Sequence, residues 1–237
     1  MNLFLLPFAG GAARSYSGLL DSMSDVCAPQ AFDFPVTGRP YVDPPEVFTI
    51  QLLAKRLAKR WMYEDQPFAV FGHSMGALVA FEAARCLRSL GKRKPDFLIL
   101  SSHRAPHLPL ARPPLHLLSN KEFDDAIATY SGTPEEILKE QEMMDLIRPT
   151  LRRDFAACET YEFEHQEQLD IPVICMGGRG DKEVSEEDLD AWSIHTRTYL
   201  GSKLFPGGHF YFNDARNAAA REIEKMIEEA CRFREIA

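Results

Sequence analysis

Short apolar runs alternate with longer amphipathic stretches along this chain. Leu3–Phe8, Phe68–Phe71, Phe97–Ser101, Val173–Met176 and Lys203–Phe205 read as strands, and a weaker run at Ala31–Phe34 reads as a sixth. Val47–Tyr63, Ala77–Leu90, Glu186–Thr198 and Ala215–Phe233 read as helices between them. Alternation of this kind predicts an α/β fold, a mostly parallel sheet with helices on both faces. One region breaks the rhythm. From about residue 105 to 161 no strand-like run occurs, only the Pro-rich "APHLPLARPPLHLL" and then helical patterns. A helical block of that length between two strands predicts a lid over one end of the sheet. No linker composition separates it, so residues 1–237 are expected to form a single domain carrying this insertion.

Composition narrows the function. The 237 residues are 45% hydrophobic and 26% charged, which suits a globular chain with a sizeable core. The net charge of -8 lacks the basic surface that binding to nucleic acid or anionic membrane needs. Five cysteines, scattered and never in a C-x-x-C pair, predict a reducing compartment with neither a disulfide framework nor a structural zinc. The start "MNLFLLPFAGGAARS" has no positive leader and is broken by Pro7 and Gly10-Gly11, so it reads as a first strand rather than a secretory signal. No apolar stretch reaches the ~20 residues of a membrane span. The chain is expected to be cytoplasmic.

The candidate chemistry centres on "FAVFGHSMGALVAFE", where a strand-like run enters Gly72-His73-Ser74-Met75-Gly76 and a helical pattern follows at once. G-x-S-x-G between strand and helix is the signature of a nucleophile held in a sharp turn. Flanking glycines let the backbone pass closely, and the helix N-terminus points at whatever binds there. A serine needs a base to take its proton, and in such sites the acid and then the histidine follow the serine in the chain. His209 is the candidate base, because "KLFPGGHF" places it in a glycine-rich loop after the last strand. His73 adjoins Ser74 and is expected to leave the turn in another direction. His103, His107, His116, His165 and His195 read as surface or structural residues. Asp181 is the candidate acid: it ends "IPVICMGGRGD", a buried strand running into a loop, whereas Asp170 precedes that strand and Asp214 caps the last helix. An oxyanion formed at Ser74 would need two backbone N–H groups. Met75 supplies one, and Ala9, in the glycine-containing loop after the first strand, is the candidate for the other.

Taken together, "LPFAGG", "GHSMGALVAFE", "GGRGD" and "FPGGHFYF", with "YSGTPEEIL" and "IRPTLRRDFAACETYEF" in the insertion, resemble the type II thioesterases of nonribosomal peptide and polyketide synthesis. The resemblance runs nearly end to end. It implies an α/β-hydrolase fold with Ser74 as nucleophile, His209 as base and Asp181 as orienter. It also implies removal of acyl groups from the phosphopantetheine arm of carrier proteins, by a monomer that uses no cofactor and no metal. Two departures stand out: "FPVTGRPYVDPP" keeps Gly38-Arg39 but has Val42 where the family has a second arginine, and Lys182 follows Asp181 where proline is common. Neither touches the nucleophile or base. The apolar residues Leu115, Leu117, Leu118, Phe123, Ile127, Leu138, Met143 and Met144 either screen an acyl chain or pack the insertion onto the core. A general carboxylesterase or acyl-CoA hydrolase would differ in turning over free esters as well as carrier-bound ones. A non-catalytic binding protein would not label with a serine-reactive phosphonate.

Overall fold

The computed structural model describes residues 1–34, 48–130 and 132–236. The strands are β1 (Asn2–Leu6), β2 (Ala28–Ala31), β3 (Phe68–His73), β4 (Leu98–Ser101), β5 (Val173–Gly178) and β6 (Tyr199–Phe205). The helices are α1 (Ser17–Leu20), α2 (Ile50–Trp61), α3 (Met75–Ser89), α4 (Asn120–Thr129), α5 (Glu135–Lys139), α6 (Gln141–Glu159), α7 (Glu186–Asp190), α8 (Tyr211–Asp214) and α9 (Arg216–Ile236). All six strands run parallel in the order β2-β1-β3-β4-β5-β6. Gly38-Arg39, Val42 and Val47, the last at the start of the first expected helix, lie outside the described residues.

Strand side chains alternate between two apolar layers, as the period of two requires. Phe4, Leu6, Val70, Leu98, Leu100, Val173 and Cys175 pack with α2 and α3 on one face. Leu3, Leu5, Ala69, Phe71, Ile99, Ile174 and Met176 pack with α1 and α9 on the other. The chain leaves β1 toward one edge and returns on its far side as β3, so the switch in direction falls between these two strands. Loops beyond the carboxyl ends of strands at such a point form a crevice.

Two sequence expectations shift. The weak strand expected at Ala31–Phe34 lies at Ala28–Ala31. Pro29 is tolerated because β2 is an edge strand. Phe32 and Phe34, which suggested strand, are core inserts: Phe32 packs edge-on against Phe4 and Trp61. The helix expected over Glu186–Thr198 is α7 followed by a tight 3-10 segment, Ala191–His195, that seats Trp192 and His195 in the interior.

Residues 105–161 hold a 3-10 turn (Leu115–Leu117) and then α4, α5 and α6, between β4 and β5. They carry their own apolar cluster of Leu115, Phe123, Ile127 and Leu151, flanked by Leu118 and Leu138. Met144 is also buried, whereas Leu117 and Met143 are exposed and screen nothing. No helix among the described residues is long and apolar enough to cross a membrane.

The tightest constraint lies where α3 starts. A Cβ on Gly76 would sit 2.2 Å from the Leu6 carbonyl oxygen at the end of β1, and one on Gly72 would sit 2.3 Å from the Gly76 carbonyl oxygen. Gly76→Ala is therefore expected to lower the unfolding free energy in urea by about 2–4 kcal/mol, because only backbone can give way. Unfolding within about 0.5 kcal/mol of wild type, the range of an ordinary surface change, would contradict this packing.

Candidate active site

Ser74 occupies the turn from β3 into α3 with φ 52° and ψ -118°, a left-handed conformation rare outside glycine. The turn is held by its neighbours: the Ser74 N–H donates to the Ser101 carbonyl at 2.8 Å, and the Ala77 N–H donates back to the Ser74 carbonyl at 2.9 Å. Beneath it, His73 is fully buried with Nδ1 2.9 Å from Ser101 Oγ, which is 2.9 Å from Tyr211 Oη. Burial pushes the His73 imidazole well below the usual histidine range, with the charges of His209 and His103 adding to the effect. A neutral ring thus lies 5.1 Å, centre to centre, from the His209 ring and tilted 57° to it. The backbone turn does carry His73 away from the serine's exposed side, but it leaves the ring packed beside His209, a contact that sequence order does not show.

The loops after β5 and β6 bring the acid and the base together. Gly180 N–H donates to the Gly207 carbonyl at 2.8 Å, and a Cβ on Gly178 would sit 2.0 Å from the Gly208 carbonyl oxygen. Gly207 of "PGGH" is needed for its φ of +114°, and this backbone-to-backbone approach explains Gly178 of "GGRGD". It delivers Asp181 Oδ2 to 2.9 Å from His209 Nδ1, while Asp181 Oδ1 accepts from the Glu183 N–H at 2.9 Å. Both side chains are almost wholly buried. A carboxylate only accepts, so the proton of the neutral His209 ring is held on Nδ1 and Nε2 keeps a lone pair. Ser102, itself at φ 45°, braces the pair by donating from Oγ to the His209 carbonyl at 3.2 Å. The competing acids lie elsewhere: Asp170 is paired with Lys94, and Asp214 ends α8. Among the described residues no Ser74–His209 hydrogen bond is formed, but Ser74, His209 and Ala9 line the same two cavities, of about 490 and 700 Å³.

Ala9 and Met75 flank Ser74 from β1 and α3. Among the described residues neither backbone N–H has an acceptor, unlike that of the next residue, Gly10. Gly10 adopts φ +72°, and its N–H donates at 2.8 Å to Asp154 Oδ2 on α6. Asp154 is 1% exposed, and its Oδ1 accepts from Arg153 Nη2 at 2.7 Å. Burial raises the Asp154 carboxyl above its ordinary range, against the opposing pull of Arg153 and the Gly10 N–H. Leu151, one turn earlier, packs where a Gly10 Cβ would be. The inserted helix thus pins the loop that carries Ala9.

Tyr130, at the end of α4, lies edge-on to His209 with ring centres 5.3 Å apart and lines both cavities. Its hydroxyl donates to Glu183 at 2.8 Å and accepts from Arg112. Arg112 also bonds Glu159 at 2.8 Å and Glu183 at 3.1 Å. This network ties the insertion to the Asp181 loop. The other histidines divide. His116 is bonded to Glu159, and His165 is exposed. His195 is buried, not solvated as its polar sequence surroundings suggest, with Nε2 2.7 Å from His107 Nδ1. Among the described residues no group of three or more metal-ligating side chains converges.

A parallel sheet with this turn after its third strand, a His–Asp pair from the loops after its last two strands and an inserted helical block defines the α/β-hydrolase class. The thioesterase domain family matches residues 1–227, and the chain belongs to that family. It is 30% identical to the gramicidin S biosynthesis protein GrsT of Aneurinibacillus migulanus, over 98% of this chain and 88% of that one. Among solved structures it superposes on RedJ, a thioesterase of the prodiginine pathway in Streptomyces coelicolor, with TM-score 0.83 and 30% identity, covering 95% of this chain and 89% of RedJ. It superposes on YbtT, a type II thioesterase of the yersiniabactin pathway, with TM-score 0.84 and 31% identity, covering 97% and 93%.

Removing Asp154 strands the part-buried Gly10 N–H and the Arg153 guanidinium without touching Ser74 or His209. Asp154→Ala is expected to cost about 1–3 kcal/mol in urea unfolding and to lower turnover, because the loop that carries Ala9 is no longer held. Unchanged stability would show that the Gly10 contact contributes nothing. Acid acts through other groups. Burial pushes His103 and His195 down to about 4, the charges of His107, Arg85 and His165 adding to the effect on His195. Between there and the unfolded value near ~6.5 the unfolded chain binds more protons, so stability falls as pH falls through that window. The urea midpoint is expected to drop from pH 7 to pH 5, and to drop less in His195→Gln. The same drop in both proteins would remove His195 from the account.

Proposed function

We propose that the chain is a serine-dependent thioester hydrolase that clears acyl groups from the phosphopantetheine arm of carrier domains in a nonribosomal peptide or polyketide assembly line. The observation that carries this reading is the Asp181–His209 hydrogen bond facing a cavity shared with Ser74 and Ala9. The end-to-end similarity to GrsT and YbtT, proteins named for such pathways, supplies the substrate class.

In this mechanism Asp181 holds the proton on His209 Nδ1, and Nε2 takes the proton of Ser74 Oγ as the oxygen attacks the thioester carbonyl. The carbonyl oxygen, now charged, accepts from the Ala9 and Met75 N–H groups at the α3 N-terminus. The tetrahedral intermediate collapses with cleavage of the C–S bond, and His209 passes its proton to the departing sulfur. Water then repeats the sequence on the acyl-serine: His209 takes a proton from water, the acid is released and Ser74 recovers its hydrogen. Residues 105–161 serve as a lid that admits the tethered arm and excludes water once it is bound. The enzyme works as a cytoplasmic monomer.

Asp181→Asn is expected to lower kcat by about 10⁴-fold, because the amide stabilises the wrong tautomer and not the imidazolium. A near-wild-type rate would assign the orienting role to another carboxylate. Carrier recognition is tested by giving one acyl group, propionyl, on a carrier domain from the enzyme's own gene cluster, on coenzyme A and on N-acetylcysteamine. Contacts with the remote carrier surface orient the thioester at Ser74, so kcat/KM is expected to be highest on the carrier. Equal values on all three donors would favour a general acyl-CoA hydrolase.

A further inference from the structure

His103 follows Ser102 at the carboxyl end of β4 and lines the 490 Å³ cavity together with Ser74 and His209. Its position is fixed on three sides. Its carbonyl accepts from Trp192 Nε1 at 2.7 Å, the preceding Ser102 N–H donates to the Met176 carbonyl at 2.8 Å, and its Nδ1 lies 2.7 Å from the Arg104 carbonyl oxygen. A carbonyl oxygen only accepts, so Nδ1 carries the proton and Nε2 carries a lone pair. Burial, with the charges of His209 and Arg104, pushes the ring down to about 4, so it stays neutral at pH 7. The cavity wall therefore holds, beside the reacting serine, an acceptor that does not turn into a donor.

Both nearby cations are ion-paired, Arg104 through Nη2 with Asp188 at 2.6 Å and Arg112 with Glu159 and Glu183. Arg104 Nε and Nη1 are buried and have no acceptor among the described residues. The exposed Glu162 carboxylate lines the same cavity and has no ion-pair partner among the described residues. A neutral acceptor and a spare carboxylate lining one cavity suit a ligand group that donates.

We propose that His103 Nε2 is a specificity-determining acceptor for an N–H group of the bound thioester. That N–H is either the amine of an aminoacyl group or an amide of the pantetheine arm. This inference rests on the thioesterase reading above and names which part of the substrate the cavity reads. A buried acceptor left unpaired by the wrong substrate discriminates more sharply than apolar contact does.

The test uses alanyl and isobutyryl groups, similar in size and differing in the amine, each as thioesters of N-acetylcysteamine, which has an amide, and of 2-methoxyethanethiol, which has none. Wild type, His103→Leu and His103→Gln are compared by kcat/KM. Losing the acceptor is expected to cost about tenfold on substrates that supply the N–H, the size of a hydrogen bond to a charged or buried group. The isobutyryl ester of 2-methoxyethanethiol, with no N–H, is expected to stay within about twofold of wild type. His103→Gln, whose amide oxygen accepts, is expected to recover part of the loss. A loss confined to alanyl esters assigns the subsite to the acyl amine, and a loss confined to N-acetylcysteamine esters assigns it to the arm. An equal change on all four substrates, or none, overturns the proposal. Should wild type hydrolyse none of the four, nor any carrier-bound acyl group, it is the thioesterase reading that fails.

Discussion

Close approach of backbone to backbone at the carboxyl edge of the sheet is the constraint on which the site depends. The first turn of α3 passes over the end of β1 so tightly that only glycine fits at position 76. The same crowding forces Ser74 into its left-handed conformation and lifts it clear of the sheet. Farther along the edge the loops after β5 and β6 touch through Gly178, Gly180, Gly207 and Gly208, and that contact sets the 2.9 Å separation of Asp181 and His209. Strain at the serine is sustained because the surrounding layers over-determine it. Of the fifteen residues of α3, twelve are buried, so the turn cannot relax by letting the helix move.

The inserted block joins this edge by polar contacts and by a small share of the core. Most of its apolar residues form their own cluster, while Ala105, Leu108, Ala157, Cys158 and Tyr161, near its two ends, pack into the α2–α3 layer. Its links to the site are Asp154 on Gly10, Leu151 over Gly10, and the Tyr130–Arg112–Glu183 network beside His209. The proposed lid would move about these ends while the sheet and the Asp181–His209 pair stay in place. Such a division suits an enzyme that must admit a tethered substrate and then exclude water.

What could be read from the chain follows from how local its cause is. Ser74 was legible because the turn's demand for glycine lies within five residues. Asp181 and His209 were legible because each ends a strand-then-glycine pattern at the same edge of the sheet. Asp154 was not: in "LRRDFAACE" it reads as one more charge on a solvated helix face, and its burial depends on Gly10, 144 positions away. For His195 the sequence left surface and structural roles open, since its polar neighbours conceal a ring enclosed by Phe81, Phe163 and Trp192. Phe32 and Phe34 imitate a strand because aromatic residues that plug a core look locally like aromatic residues in a sheet. In each case the deciding partner comes from a distant element.

The central claim is that Ser74 carries the acyl group between the two halves of the reaction. Peptide mass spectrometry of enzyme quenched in acid during turnover of a propionyl thioester tests it directly. The account predicts propionyl on the peptide containing Ser74, gained within the first turnover and absent from Ser74→Ala. Steady turnover by Ser74→Ala, or an acyl group found on a different residue, would contradict it.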